Sequence, residues 1–312
     1  MNRLRDWSPP FTGLRPAART STVGWMNSIN QSAARKSALS TLSDDSSGPG
    51  KLAVFTSLDG TLLDADTFEA GPVREVVDRL HEAGIPIIPM TVMTLDEVEP
   101  IARDLGMRHA MVIEAGGAIA RWVDGTWEIE PCGPTSDALL DVVRDIENRS
   151  GANLLLYSAL PELEAARLSG RSGSMLQAST RCRFSEPFVI ESGEISAVMK
   201  AATSIGFSIR RGRRFYYLCH ENAGAAAFTS VRDELGIDVV IGVGGSLIDL
   251  EFLTLAEIPI IVPRSDGRAD VELVTRVPHA RIASAAGPAG WAAAVNDAWQ
   301  SIPATRHSAS VS

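Results

Sequence analysis

Lysine is close to absent from this sequence. Only Lys36, Lys51 and Lys200 occur among 312 residues, and none follows residue 200. Cysteine is as scarce. Cys132, Cys182 and Cys219 are too few and too scattered for a disulfide framework or a four-ligand zinc site, and a reducing, cytoplasmic compartment is the simpler reading. No apolar run approaches the ~20 residues needed to cross a bilayer, and the N-terminal stretch has no apolar signal-peptide core. Positive charge is also in deficit: Lys plus Arg is 29 and Asp plus Glu is 38, a net of −9. That balance argues against a general nucleic-acid binder, which needs a basic face. Transmembrane, collagen-like, coiled-coil and small secreted classes fall away. What remains is a chain long enough, and at 45% hydrophobic apolar enough, for a sizeable core; its length suggests two domains.

Charge is unevenly spread. Residues 1–50 hold six basic groups (Arg3, Arg5, Arg15, Arg19, Arg35, Lys36) and three acids (Asp6, Asp44, Asp45), so the acidic excess lies in the remainder. The segment is rich in Ser, Thr, Pro and Gly and has no apolar period, which reads as a disordered tail. Two other readings stand beside it. Arg and Ser enrichment resembles a transit peptide, and Trp7, Phe11 and Trp25 offer a way to dock on a protein partner.

After residue 50 the pattern changes. Lys51–Thr56 is a short apolar run stopped by Asp59-Gly60, a buried strand ending in a turn. Helical spacing follows over 69–83, a second apolar run over 85–90, a helix over 95–105 and a third strand at 110–113, with Gly84, Gly106 and Gly116 as stops. This alternation predicts a doubly wound α/β fold whose parallel sheet is covered on both faces. The same pattern returns late: helices over 223–235, 247–255 and 287–300, and strands at 238–243, 258–263 and 281–284. Between the halves the text reads as α+β, with helices at 139–147 and 195–205 and strands at 154–157, 188–190 and 215–218. The expected organisation is a first core part (51–123), an inserted module (124–216), a second core part (217–300) and a short tail (301–312). Trp122 and Trp127 around Asp124-Gly125 suggest a hairpin with packed Trp rings.

In an open parallel sheet, ligands sit beyond the carboxyl ends of the strands. Three stretches fall there: Ser57-Leu58-Asp59-Gly60-Thr61, Thr91, and Gly244-Gly245-Ser246-Leu247-Ile248-Asp249. Singly, each is ordinary turn or capping chemistry. At the ends of three strands, Asp59, Thr91 and Asp249 converge on one crevice, and Gly60, Gly244 and Gly245 let backbone approach a ligand. Basic residues at 210–214, and Arg181 and Arg183 around Cys182, are either a solvated edge or a means of capturing an anion. His220 reads as an ordinary polar residue at a strand end.

Several of these stretches resemble the haloacid dehalogenase (HAD) superfamily, and within it the mannosyl-3-phosphoglycerate phosphatases. They are Val54–Asp64, Glu114–Ile119, Arg183–Phe188, Arg214–Tyr216, and Gly242–Leu253 with Ile258–Val262, together spanning about 51–290 in order. The resemblance implies a HAD-type core with the insert as a substrate-selecting cap, phosphatase chemistry through an aspartyl-phosphate, and Mg²⁺. It assigns Asp59 as general acid and base; Gly60, Gly244, Gly245, Ser246, Arg181 and Arg183 are the candidates for contacting the substrate, with Ser57 and Thr91 beside Asp59 as the catalytic candidates. The departures are as informative. The nucleophilic Asp of the first motif is Ser57 here; the metal-binding Asp of the late motif is Gly245, leaving Asp249 as a remnant. The phosphate-neutralising Lys aligns with Ala223, and a second Lys is lost from Thr91-Val92-Met93-Thr94.

A serine hydroxyl needs a base to become nucleophilic. Mg²⁺ needs carboxylate anchors, and phosphoryl transfer rests on positioning and charge neutralisation. The expectation is a catalytically impaired pseudophosphatase, with no metal bound, that binds a sugar-phosphate-like ligand or a protein partner. Two alternatives stand: an active Mg²⁺-dependent phosphatase of a phosphorylated sugar or sugar acid, and a structural subunit docked through its N-terminal tail.

Overall fold

The run Leu-Ala-Val-Phe-Thr forms β1 (Leu52–Thr56), and all five residues are buried. Both faces of this strand are covered, which is why it reads as a continuous apolar run rather than an alternating one. In the computed structural model, which describes residues 50–302, α1 (Val73–Glu82) then buries Val73, Val76, Val77 and Leu80, one face at helical spacing. β2 (Ile87–Pro89), α2 (Leu95–Asp104) and β3 (Ala110–Ile113) follow. Thr94 and Glu97 close a capping box at the start of α2, each satisfying an orphan amide of the first turn. β4 (Ala118–Val123) and β5 (Thr126–Pro131) form an antiparallel hairpin on β3, with Trp122 opposite Trp127 and their rings 5.0 Å apart, edge to face.

The chain then builds a second layer: α3 (Ser136–Ser150), β6 (Asn153–Leu156), α4 (Glu162–Ser169), α5 (Gly173–Ser179), β7 (Glu186–Ser192), α6 (Ile195–Thr203), β8 (Phe207–Arg211) and β9 (Tyr216–His220). Its four strands form an antiparallel sheet in the order β6-β7-β9-β8. Leu139, Val143 and Ile146 of α3 and Val198 and Ala202 of α6 pack on one face of it, around Phe188 and Leu218. The other face gathers Tyr157, Leu176, Phe215 and Tyr217.

The return to the core is α7 (Ala223–Leu235), β10 (Val239–Gly244), α8 (Leu250–Leu255), β11 (Ile258–Ile261), α9 (Val271–Arg276), β12 (Arg281–Ile282) and α10 (Gly287–Gln300). Five strands pair in parallel in the order β12-β11-β10-β1-β2. β3 continues this order through a bridge between Met90 and Val112 and the 2.9 Å bond from the Thr91 amide to the Val112 carbonyl. Alternate residues of β1 face opposite layers. Val54 packs with Val77, Leu80 and Trp291; Ala53 and Phe55 pack with Phe228 and Val231. The Trp291 indole donates to Thr56 Oγ1 at 2.8 Å, so the largest buried side chain keeps its one polar atom satisfied.

The doubly wound sheet with an inserted α+β cap is thus present, with corrections in detail. The boundary expected at 124 falls in the turn of the β4–β5 hairpin, and β5 pairs with β4 rather than with the cap sheet. The boundary expected at 216 falls inside the cap sheet, because β9 pairs with β7 and β8 through His220. β8, α4, α5 and α9 are not legible in the apolar pattern. Each is short, and the three helices cover six to eight residues apiece. The tail expected over 1–50, its suggested protein partner, and the tail beyond 302 lie outside the described residues, apart from Gly50, Ser301 and Ile302.

Candidate active site

The crevice forms where β1, β2 and β10 end side by side. After Thr56 the Ser57 amide donates to the Val243 carbonyl at 2.8 Å, fixing the tip of β1 against β10. The chain then folds into a tight loop in which the Thr61 and Leu63 amides both donate to the Leu58 carbonyl. Gly60 takes φ +71° there, a left-handed conformation that favours glycine, and the Arg213 guanidinium lies over it. Ser57 Oγ donates to Thr61 Oγ1 at 2.9 Å. Asp59 reaches into the crevice, and its Oδ1 is buried with no hydrogen-bond partner among the described residues. Burial pushes its carboxyl above the ordinary range, outweighing the nearby Arg171, Arg214 and Arg213 charges.

At the end of β2, Thr91 is buried; its hydroxyl accepts from the Met93 amide at 3.1 Å. At the end of β10, Asp249 turns back on its own loop. Its Oδ2 accepts from the Gly245 amide (2.8 Å), the Ser246 amide (2.9 Å) and Ser246 Oγ (3.2 Å). Burial pushes this carboxyl up to about 6. The structure therefore brings Ser57, Asp59, Thr91, Ser246 and Asp249 together on the wall of one inner cavity of about 50 Å³. Gly60 and Gly245 line an adjoining outer pocket. Gly244 lines neither; it permits close packing, since a Cβ there would meet the Asp249 Cβ at 2.6 Å.

The cap closes the crevice with cations. Arg171, Arg213 and Arg214 line the inner cavity with Phe215 and Tyr217. Arg171 is buried and paired with Glu97 of α2 at 2.5 Å. Arg214 donates to the Ala65 carbonyl at 2.7 Å, while its Nε is buried without a partner. Arg171 escapes a reading of the sequence, because it stands alone in a Ser- and Gly-rich connection and its partner lies 74 residues away. Arg181 and Arg183 are not brought to the crevice. Arg181 pairs with Asp96 at 3.1 Å on the exposed surface, and the Arg183 guanidinium lies over the Phe184 ring. Their segment serves the cap junction instead. The Arg183 and Phe184 amides and Ser185 Oγ all donate to Glu114 Oε2, anchoring the cap to the loop after β3. His220 also lies away from the inner cavity, its Nδ1 3.1 Å from the Glu221 carbonyl.

The donors at the strand tips do not fit Mg²⁺, which requires near-octahedral oxygen ligation anchored by carboxylates. Asp249 Oδ2 accepts from three donors in its own loop and its carboxyl is also in contact with Ser57, while Ser57 Oγ donates to Thr61. Position 245 offers no side chain and little room for one, because a Cβ there would lie 2.9 Å from the Val262 carbonyl oxygen. No cluster of three His, Cys, Asp or Glu placed to hold a metal occurs among the described residues. The position that the resemblance gives to a lysine carries no charge: Ala223 is buried.

A parallel sheet whose β1 tip carries the Ser57–Leu63 loop, with an antiparallel cap sheet inserted after the β4–β5 hairpin, defines a capped Rossmann-like fold. No family model matches the chain. A glucosyl-3-phosphoglycerate/mannosyl-3-phosphoglycerate phosphatase of Methanococcoides burtonii is 28% identical over 266 residues, covering 78% of this chain and 96% of that protein. One of the same name from Persephonella marina is 25% identical over 230 residues, 68% of this chain and 85% of that protein. Among solved structures, a HAD superfamily phosphatase from Bacteroides thetaiotaomicron superposes with a TM-score of 0.61 at 14% identity, covering 84% of this chain and 100% of that one. The chain shares the fold of HAD phosphatases and is similar to these two phosphatases over most of its length.

Proposed function

We propose that this chain is a phosphatase-type HAD protein that binds a phosphorylated sugar or sugar acid and has lost efficient hydrolysis of it. One observation carries the reading: a neutral hydroxyl, Ser57, stands at the tip of β1 where the superfamily resemblance calls for an attacking carboxylate, and it donates to Thr61. Among the described residues no His or Lys lines the cavity, and the carboxyls that do, Asp59 and Asp249, are both raised by burial. A single cation aimed at a phosphoryl transition state is worth roughly 10³–10⁵-fold. Loss of nucleophile, metal ligand and core lysine together therefore removes more than Asp59 and Thr91 can replace. What these residues still do is bind and orient: Asp59, Thr91 and Ser246 present polar groups, and the cap arginines supply charge. The free thiols of Cys132, Cys182 and Cys219 suit a reducing cytoplasmic setting.

The test is phosphate release from a panel of sugar phosphates and phosphoglycerate esters, with and without Mg²⁺. The wild type should stay at background. Turnover that disappears in Ser57→Ala would overturn the reading. It would establish the working phosphatase instead, which the names of the two relatives favour over most of their length.

A further inference from the structure

The outer pocket has a lining that the proposed function does not account for. It measures about 320 Å³ and shares Asp59, Gly212, Arg213 and Ser246 with the inner cavity. Three guanidinium groups border it: Arg211 and Arg213 from the cap, and Arg264 from the core loop after β11. The acids on its wall are Asp59 and Asp270. Asp270 is buried and committed. Its Oδ2 accepts from Arg264 at 2.5 Å and from Arg211 at 3.0 Å, while Oδ1 accepts from the Glu272 and Leu273 amides at the start of α9. One carboxylate thus positions two arginines, one on each side of the cleft. Arg213 has no hydrogen bond or ion pair among the described residues, and its guanidinium lies directly over Gly60.

We propose that this pocket is an anion site that takes the phosphate group of a phosphomonoester on Arg213, Arg211 and Arg264, in place of the core lysine lost at Ala223. The inner cavity holds only a few water molecules, whereas the outer pocket falls in the range of small-molecule sites, roughly 300–1,000 Å³. Guanidinium forks match phosphate oxygens two at a time. Because two arginines ride on the cap and one on the core, the site is complete only with the cap over the core. The proposal rests on the reading that the chain binds a phosphorylated ligand, but not on loss of hydrolysis.

The experiment is titration calorimetry of the full chain with inorganic phosphate and with 3-phosphoglycerate, with D-mannose as the uncharged control. Both anions should bind and mannose should not. Arg213→Ala and Arg264→Ala should each weaken the anions tenfold or more, and Arg181→Ala should leave them within twofold. Arg213 and Arg264 are both exposed residues, Asp270 keeps Arg211 when Arg264 is removed, and circular dichroism checks that each variant is folded. If 3-phosphoglycerate binds the wild type and both arginine variants alike, the site is wrong while the ligand reading survives. If neither anion binds the wild type, both fall. Ser57-dependent turnover would end the impaired-enzyme reading without touching these affinities.

Discussion

At the residue scale, the crevice is shaped by what small side chains permit. The backbone at Gly245 runs so close to the Val262 carbonyl that any Cβ must push it aside. Introducing the carboxylate that the resembled motif carries, by Gly245→Asp, should therefore destabilise the fold by about 1–3 kcal/mol, the usual cost of forcing atoms into a filled space. Mg²⁺ should not recover the loss. Urea unfolding of the variant with and without Mg²⁺ measures both effects, and Gly245→Ala should show most of the same penalty. Asp249 makes a second case. Its carboxyl is raised from an ordinary 3.8 to about 6 by burial. A carboxyl raised in the folded state binds protons more tightly there than in the unfolded chain. It therefore stabilises the fold below pH 4, and that contribution is lost as pH rises through 6. The difference amounts to about 3 kcal/mol across that window. Asp249→Asn keeps an acceptor for the Gly245 and Ser246 amides and removes the titration. The variant should flatten the pH profile of stability between pH 4 and 7, as read by denaturant midpoints.

At the scale of elements, the cap is held to the core by buried carboxylates on the core side. Glu97 does two jobs: one oxygen caps α2 through the Thr94 amide, and the other pairs with Arg171 from the cap. Removing one partner of such a buried pair strands the other's charge, at roughly 3–5 kcal/mol, whereas replacing both with apolar groups of similar size is often close to neutral. Arg171→Met alone should cost that much, and Glu97→Leu with Arg171→Met should cost less than the sum of the single changes. A double-mutant cycle in urea settles it. Glu114 makes the equivalent anchor at the other junction, through the Arg183 and Phe184 amides.

At the scale of the whole molecule, Asp59, Glu97, Glu114, Glu186 and Asp249 are all raised by burial. All five therefore push in one direction. The melting temperature should fall as pH rises through about 6, where Asp249 loses its proton, with His109, lowered by burial, opposing the trend on the acid side. The same scale carries the metal prediction. A ligand that binds only the folded state raises its stability in proportion to the logarithm of its concentration. With no fitting donor set at the strand tips, the melting temperature in EDTA should equal that in millimolar Mg²⁺. A clear metal-dependent rise would show a site the geometry does not offer.

The sequence by itself determined the core, because a strand covered on both faces must be apolar throughout and a helix on a sheet must repeat near every fourth residue. Lys51–Thr56, the face at Val73, Val76, Val77 and Leu80, and the glycine stops carry that information locally. The resemblance of its motifs to a known superfamily, rather than any strand pattern, is what marks Ser57, Gly245 and Ala223 as departures. Tertiary structure decided the boundaries of the cap, because the pairing of β5 with β4 and of β9 with β7 is not written in either strand's own pattern. It decided, too, which cations serve the crevice. Arg181 and Arg183 look as suitable in sequence as Arg171 and Arg264, but a charge acts over a few ångströms, and only the packing of cap on core sets those distances.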